Sequence, residues 1–380
     1  MPKLYMTYYQ IEKQGGKSSM KIKKIISLGL AILLLFSSSP ATFATNHTNN
    51  LGNSNNLYIL SKPCPEEYKE YAKEMAGYML WDYNISNPIL GNPFTFFNDD
   101  SNIYYFPIYS NGEISLTFRI YAGHDGSPTG VVSPVFASAL NTFASKTSLS
   151  DPLKVVYENK GDHAAVVFKL NNYEQEVQVT PIIRDIVDIS PNLLNEEFEI
   201  VNCIQSETIN LMPKARTSKT LSLSITEVQG SDNWCLAYCV AILMRYRGLN
   251  TTAQKIMTNI YGDDVTKQQA LDRTDAEDYL HSYGFNTLKS DYWPTASETY
   301  LKIESEIDNF RPVILNMVKK PDKKWSHAIV ARGYENVKAT VSVWNPFYTY
   351  FETVVSLDNY SPAESSTVYF IGEYWYNNYR

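Results

Sequence analysis

One cysteine of the sequence stands where a helix is expected to begin. Cys235 directly precedes a run with apolar residues at helical spacing as far as residue 246, and Ser231 or Asp232 can cap that helix. The unpaired backbone N–H groups and the positive dipole end of a helix start favour a thiolate. Gln229 lies six positions earlier, where its amide can donate a hydrogen bond to an oxyanion. This arrangement predicts a nucleophilic thiol.

A thiol nucleophile needs a base, and His327 is the best candidate. It begins an apolar strand, so the backbone would be fixed while the ring projects into a cleft. Asn345 follows eighteen residues later at the end of the next predicted strand, where its side-chain oxygen can hold the imidazole. The other histidines lie in a polar spacer, in the N-terminal part or at an exposed helix end: His47, His124, His163 and His281.

Each of these residues also has a purely structural interpretation. A lone cysteine such as Cys235 is equally typical of a buried core, and Asn345 before a proline is typical of a turn. Cys239, one helical turn further into the apolar run, is interpreted as an inert core thiol. The prediction of a site therefore depends on the four residues occurring together.

The elements that must position these residues form the predicted C-terminal domain, residues 217–380. Helical spacing indicates helices over residues 234–246, 251–260, 268–283 and 298–309. Strand patterns follow over residues 313–318, 326–334, 340–344, 348–355 and 367–374. Helices followed by an antiparallel sheet predict an α+β domain with a cleft between its two halves.

The sequence pattern of residues 45–216 predicts a second α+β domain that is rich in hairpins. A helix over residues 65–83 precedes strands over residues 103–110, 114–122, 153–158, 164–170 and 174–182, with turn signals between them. Cys64 and Cys203 lie near its ends and could pair, although the sequence leaves this open. The polar, basic stretch over residues 211–220 predicts an exposed linker.

Residues 1–44 are interpreted as an upstream extension and a signal peptide. A basic segment after Met20, a short apolar run over residues 25–36 and small residues up to Ala44 form the pattern of secretory signals. The apolar run is shorter than a spanning helix needs, so no stable membrane insertion is expected after cleavage.

Composition excludes several function classes. The chain has 380 residues with a net charge of -7 and 44% hydrophobic residues, which excludes a disordered or fibrous protein. The acidic balance argues against nucleic acid as a partner. No cluster of cysteine and histidine has zinc spacing, so we expect no metal or organic cofactor.

The order of Gln229, Cys235, His327 and Asn345 resembles that of the papain-like cysteine peptidases. The short sequences around Cys235, His327 and Asn345 look closest to staphopain-type secreted bacterial peptidases. The resemblance implies that Gln229 is the oxyanion donor, Cys235 the nucleophile, His327 the general base and acid, and Asn345 the orienting residue. It also implies a strongly depressed pKa for the Cys235 thiol. Unlike the plant and lysosomal members, this chain has no cysteine three residues before the nucleophile, so their disulfide pairing is not assumed.

We therefore expect a secreted cysteine endopeptidase that acts on protein or peptide substrates and is made as a zymogen. The N-terminal domain would be an intramolecular inhibitor, removed by a cut between residues 213 and 220; a permanent accessory domain is the alternative. Two other functions stay open. A transglutaminase uses the same thioester chemistry, and a secreted binding or adhesion protein would carry these residues by coincidence.

Overall fold

The computed structural model describes residues 56–97, 102–123, 125–159, 164–179, 197–204, 206–209, 218–319, 324–362 and 368–380. These residues all belong to one compact unit, residues 53–380. The predicted signal segment, the predicted domain boundary near residue 216, His47, His124 and His163 lie outside the described residues. In the described part of the chain, no helix has the length and apolar character needed to span a bilayer.

The N-terminal half consists mainly of strands. Its elements are β1 (Tyr58–Ser61), α1 (Glu66–Met79), β2 (Ile89–Gly91), β3 (Tyr104–Ser110), β4 (Glu113–Ala122), β5 (Pro128–Ser133), α2 (Ala137–Phe143), β6 (Lys154–Asn159), β7 (Ala164–Leu170), β8 (Tyr173–Val179), β9 (Glu199–Asn202) and β10 (Ser206–Thr208). Helix α1 forms where helical spacing predicts it, and it buries Tyr68, Met75 and Met79 on one face. Strand β5 and helix α2 were not predicted.

The C-terminal half begins with a short strand, continues with helices and ends in strands. Its elements are β11 (Ser218–Thr220), α3 (Cys235–Tyr246), α4 (Ala253–Tyr261), α5 (Arg273–Ser282), β12 (Leu288–Lys289), α6 (Ala296–Asp308), β13 (Val313–Lys319), β14 (Lys324–Glu335), β15 (Thr340–Trp344), β16 (Phe351–Val354) and β17 (Tyr369–Tyr376). A short 3-10 turn covers Leu357–Asn359. The α+β class predicted from the sequence is confirmed.

Capping side chains fix where two of these helices begin. Helix α5 starts at Arg273 instead of residue 268, because the side chain of Asp272 accepts from the backbone N–H groups of Thr274 and Asp275. Helix α6 starts with a reciprocal capping box between Thr295 and Glu298. Both helices are therefore preceded by a polar residue whose side chain accepts from the first free N–H groups.

One antiparallel sheet runs through both halves of the described chain. Its strand order is β10-β2-β3-β4-β5-β16-β15-β14-β13-β17-β12, and β11 pairs with β14 at Gly333. Strands β5 and β16 join the halves through the pairs Val132↔Thr353 and Val131↔Val354. Smaller sheets contain β6-β7-β8 and β1-β9. Helix α3 packs against β14, which brings the start of α3 to the sheet.

Polar contacts reinforce this junction. The Asp82 carboxylate accepts hydrogen bonds from Arg332, Ser342 and Thr220. Asp82 is 6% exposed and the Arg332 side chain 13% exposed, so the ion pair is nearly buried. The two halves are thus joined by a continuous sheet and by an enclosed ion pair.

The prediction of an exposed linker over residues 211–220 is wrong at its C-terminal end. Residues 218–220 form β11, which is half-buried and paired with Gly333–Glu335 of β14. A Cβ at Gly333 would lie 2.8 Å from the backbone oxygen of Lys219, so this close pairing needs glycine. Residues 211–217 lie outside the described residues. The four cysteines are free thiols, so Cys64 and Cys203 are not paired.

Candidate active site

Helix α3 places Cys235 at its first position. Trp234 is the N-cap, whereas we expected Ser231 or Asp232 there. Asp232 still acts on the helix start, since its Oδ1 accepts from the backbone N–H of Trp234 at 3.0 Å. Cys239, one turn further, is fully buried, and burial raises the pKa of its thiol well above the ordinary value. Cys235 therefore lies at the partly exposed helix end and Cys239 in the core.

His327 and Asn345 are joined by a direct hydrogen bond. The Nε2 atom of His327, on β14, lies 2.9 Å from Oδ1 of Asn345, which directly follows β15. The His327 ring is stacked on Phe347, with 5.2 Å between the ring centroids. The backbone N–H of Phe347 also donates to Asn345 Oδ1 at 3.2 Å. The imidazole is thus held by a hydrogen bond in its plane and by an aromatic ring on its face.

Gln229 lies in a segment without helix or strand, next to the residue that follows Asn345. Its backbone N–H donates to the carbonyl oxygen of Pro346 at 2.8 Å, and its Nε2 donates to the carbonyl oxygen of Asp232 at 2.6 Å. The side chain is buried, and its Oε1 has no hydrogen-bond partner among the described residues. The amide nitrogen faces Asp232 and retains a second N–H that can donate.

Backbone contacts connect Cys235 and Gln229 to the pair formed by His327 and Asn345. The backbone N–H of Ala328, the residue that follows His327, lies close enough to the Cys235 thiol to lower its pKa, and helix α3 packs against β14. Gln229 is tied to Pro346, the neighbour of Asn345. The fold therefore brings all four residues singled out in the sequence to one place.

Burial determines the charge state of the pair. Loss of solvation lowers the pKa of His327 to about 4, although the bond to Asn345 opposes this shift. Loss of solvation also raises the pKa of Cys235 to about 11, and nearby backbone N–H groups only partly offset it. The expected depression of the thiol pKa is wrong for this geometry. At neutral pH the pair is a thiol and an uncharged imidazole.

Two contributors to the site were missed by the sequence reasoning. Phe347 covers the His327 ring, and its position two residues after Asn345 was the available signal. The backbone N–H of Ala328 carries no side-chain signal, so only the three-dimensional structure reveals it. Among the described residues, no group of histidine, cysteine or acidic side chains is arranged to hold a metal ion.

A family model matches this part of the chain. Residues 221–367 match the model of the family described as Peptidase_C39 like family. The matched range contains Gln229, Cys235, His327 and Asn345. No curated protein matches the chain. The match supports a cysteine peptidase family for the part of the chain that carries the site.

Proposed function

We propose that this protein is a secreted cysteine endopeptidase of papain-like type that hydrolyses peptide bonds through Cys235, His327 and Asn345. The observation that carries the proposal is the 2.9 Å bond between His327 and Asn345, formed beside a cysteine at the start of a helix. An imidazole that donates from Nε2 to an amide oxygen keeps Nδ1 as its proton acceptor. A base with a fixed acceptor atom is what an uncharged thiol needs to become a nucleophile.

Acylation begins from the uncharged pair. His327 takes the thiol proton on Nδ1 while the Cys235 sulfur bonds to the scissile carbonyl carbon, and the C=O π electrons move to the oxygen. The second N–H of Gln229 and the backbone N–H of Cys235 donate to this oxyanion. The intermediate then collapses: the C–N bond breaks, and the imidazolium gives its proton to the leaving amine. The products are an acyl thioester and a free amine.

Deacylation uses the same groups on water. His327 removes a proton from water as the water oxygen bonds to the thioester carbon, and a second oxyanion forms. The C–S bond then breaks, the sulfur regains the proton from the imidazolium, and the carboxylic acid product leaves. The net reaction is peptide hydrolysis with the enzyme unchanged, and the proposed roles require no cofactor.

The proposal includes export and latency, with residues 1–44 as upstream extension and signal and residues 45–216 as an inhibitory pro-domain. Two observations support it: the apolar segment with small residues after it, and the absence of all four site residues from the N-terminal half. The staphopain-type peptidases that the site sequences resemble suggest the same organisation. A retained accessory domain is the second candidate, favoured by the continuous sheet through β5 and β16.

Hydrolysis of a denatured protein and of a peptide library tests the peptidase proposal. Wild-type protein should cleave internal peptide bonds, Cys235→Ala should have no activity, and Cys239→Ser should keep it, because Cys239 is enclosed in the core. Equal loss in both variants would remove Cys235 from its role. Incorporation of a labelled amine into glutamine side chains, without hydrolysis, would establish the transglutaminase alternative instead.

Processing is tested separately by N-terminal sequencing of the secreted product. If the cut is autocatalytic, Cys235→Ala should remain as an uncut chain, whereas the wild type should show a second N-terminus within residues 213–220. Wild-type protein of full specific activity that still carries residues 45–216 would contradict the pro-domain and support a retained domain.

A further inference from the structure

The hydrogen bonds of the site continue beyond Asn345 into the core. Asn345 Nδ2 donates to the Tyr360 hydroxyl at 2.9 Å, and that hydroxyl donates to Glu352 Oε2 at 2.7 Å. The side chains of Asn345, Tyr360 and Glu352 are all 0% exposed. Buried hydrogen bonds of this kind are strengthened by the low local dielectric, and breaking one leaves an unsatisfied group.

One backbone group fixes which atom donates in each hydrogen bond of this series. The backbone N–H of Phe347 can only donate, so the atom of Asn345 that it meets is the oxygen, and the amide nitrogen must face Tyr360. A phenol that accepts from this nitrogen has its own proton free to donate to Glu352. His327 Nε2 must therefore carry the hydrogen in its bond to Asn345.

We propose that Tyr360 and Glu352 are positioning residues for the catalytic histidine, which hold the Asn345 amide in the one orientation that fixes the Nε2–H tautomer of His327. This inference rests on the proposed function. A rotated amide would point its N–H groups at His327 Nε2 and favour the tautomer whose Nδ1 is protonated. That tautomer cannot accept the thiol proton of Cys235.

The N-terminal half holds the backbone on both sides of Tyr360. The Tyr121 hydroxyl donates to the carbonyl oxygen of Asn359 at 2.7 Å and accepts from the backbone N–H of Ser361 at 3.1 Å. Arg119, 1% exposed, donates to the carbonyl and hydroxyl oxygens of Ser361. In the uncut chain, strand β4 thus fixes the segment that presents the Tyr360 hydroxyl to Asn345, whereas the hydrogen bonds among Asn345, Tyr360 and Glu352 lie wholly in the C-terminal half.

A double-variant cycle tests whether Tyr360 acts through Asn345. Tyr360→Phe removes only the hydroxyl and should lower kcat/KM about tenfold, the size of one hydrogen bond, mostly in kcat. In the Asn345→Ala background the same change should have no further effect, because the group that it orients is gone. Tyr334→Phe is the matched control, since Tyr334 is also buried and donates to a carboxylate, that of Asp308.

Two outcomes of this cycle would overturn the proposal. One is that Tyr360→Phe lowers kcat/KM by the same factor in the wild type and in Asn345→Ala, which would indicate a general structural effect. The other is an equal loss in Tyr334→Phe. Glu352→Gln should also lower kcat/KM. The glutamine amide can donate an N–H to the Tyr360 hydroxyl, which would then compete with the hydrogen bond that this hydroxyl accepts from Asn345.

Nitrogen-15 NMR of the imidazole gives a readout that does not depend on peptidase activity. With the His327 signals assigned by their loss in His327→Gln, the wild type should show the Nε2–H tautomer, and Tyr360→Phe should populate the Nδ1–H form. Unchanged His327 signals in both Tyr360→Phe and Glu352→Gln would refute the positioning role. Absence of hydrolysis in the wild type would instead refute the proposed function.

Discussion

Acid should destabilise the folded protein through His327. The ring is 5% exposed, and burial lowers its pKa from the ordinary 6.5 to about 4. Between these two values the unfolded chain binds a proton on this histidine and the folded chain does not. Stability therefore falls as the pH falls through this window, and the loss is complete below the folded-state pKa.

The size of the effect follows from the difference between the two pKa values. With about 1.4 kcal/mol for each pKa unit, protonation linkage at His327 removes about 2.5 kcal/mol of unfolding free energy by about pH 4.5. Near pH 7 the same linkage contributes almost nothing, since neither state binds the proton. A loss of this size is a large fraction of the stability of an ordinary domain.

Urea unfolding at about pH 7 and about pH 4.5 measures this quantity. The wild type should lose about 2.5 kcal/mol more than His327→Gln between the two conditions, because glutamine has no proton to gain. His281→Gln is the control: His281 is exposed on α5, and this variant should behave as the wild type. An equal acid loss in His327→Gln and the wild type would refute the account of a buried, uncharged imidazole.

Three further outcomes follow from the contacts. Gln229→Ala should lower kcat by about 10²-fold with little change in KM, since the lost donor acts on the transition state; a change in KM alone would argue against an oxyanion role. Asp82→Ala should cost about 3 kcal/mol of unfolding free energy in urea, because it leaves Arg332 nearly buried without its carboxylate; a loss below about 1 kcal/mol would contradict this. A single protease cut within residues 210–217 should leave the fragments together in gel filtration, held by β5 and β16; prompt separation would show that this junction is weak.

The strongly periodic elements of this fold could be predicted from the sequence. The apolar spacing that predicts a helix over residues 234–246 corresponds to α3, and the pattern over residues 340–344 matches β15. The start of α5 was misplaced because capping by Asp272 overrides helical spacing before it. Strand β5 was missed because its first residue, Pro128, completes a turn signal. The continuous sheet depends on that strand, so it could not be foreseen.

The residues of the candidate site were selected by residue type and spacing. Cys235 begins α3 and Asn345 directly follows β15, as expected, whereas His327 is the fourth residue of β14 and not its first. The charge states of the Cys235 thiol and the His327 imidazole could not be predicted from residue type and spacing. They depend on how much solvation the ring and the thiol lose in the fold, and for the thiol this loss outweighs the effect of the nearby backbone N–H groups.

The hydrogen bonds that link Asn345 to Tyr360 and Glu352 could not be predicted from the local sequence. Glu352 lies in the short strand β16 and Tyr360 follows a 3-10 turn, so their contact depends on tertiary packing alone. The only indication was the acidic residue Glu352 in a short strand that begins with Phe351 and ends with Val354. Such a residue has to find a buried partner, and the sequence does not say which.

Reaction with an irreversible epoxide inhibitor of thiol peptidases, followed by mass spectrometry, tests the central claim most directly. The reagent is applied to the secreted protein before and after a cut within residues 210–217, with Cys235→Ala and His327→Gln as controls. A nucleophilic Cys235 predicts one adduct on that residue, absent from Cys235→Ala and formed much more slowly in His327→Gln. An adduct on Cys64, or no adduct on Cys235 in either form of the wild type, would contradict the claim that Cys235 is the catalytic nucleophile.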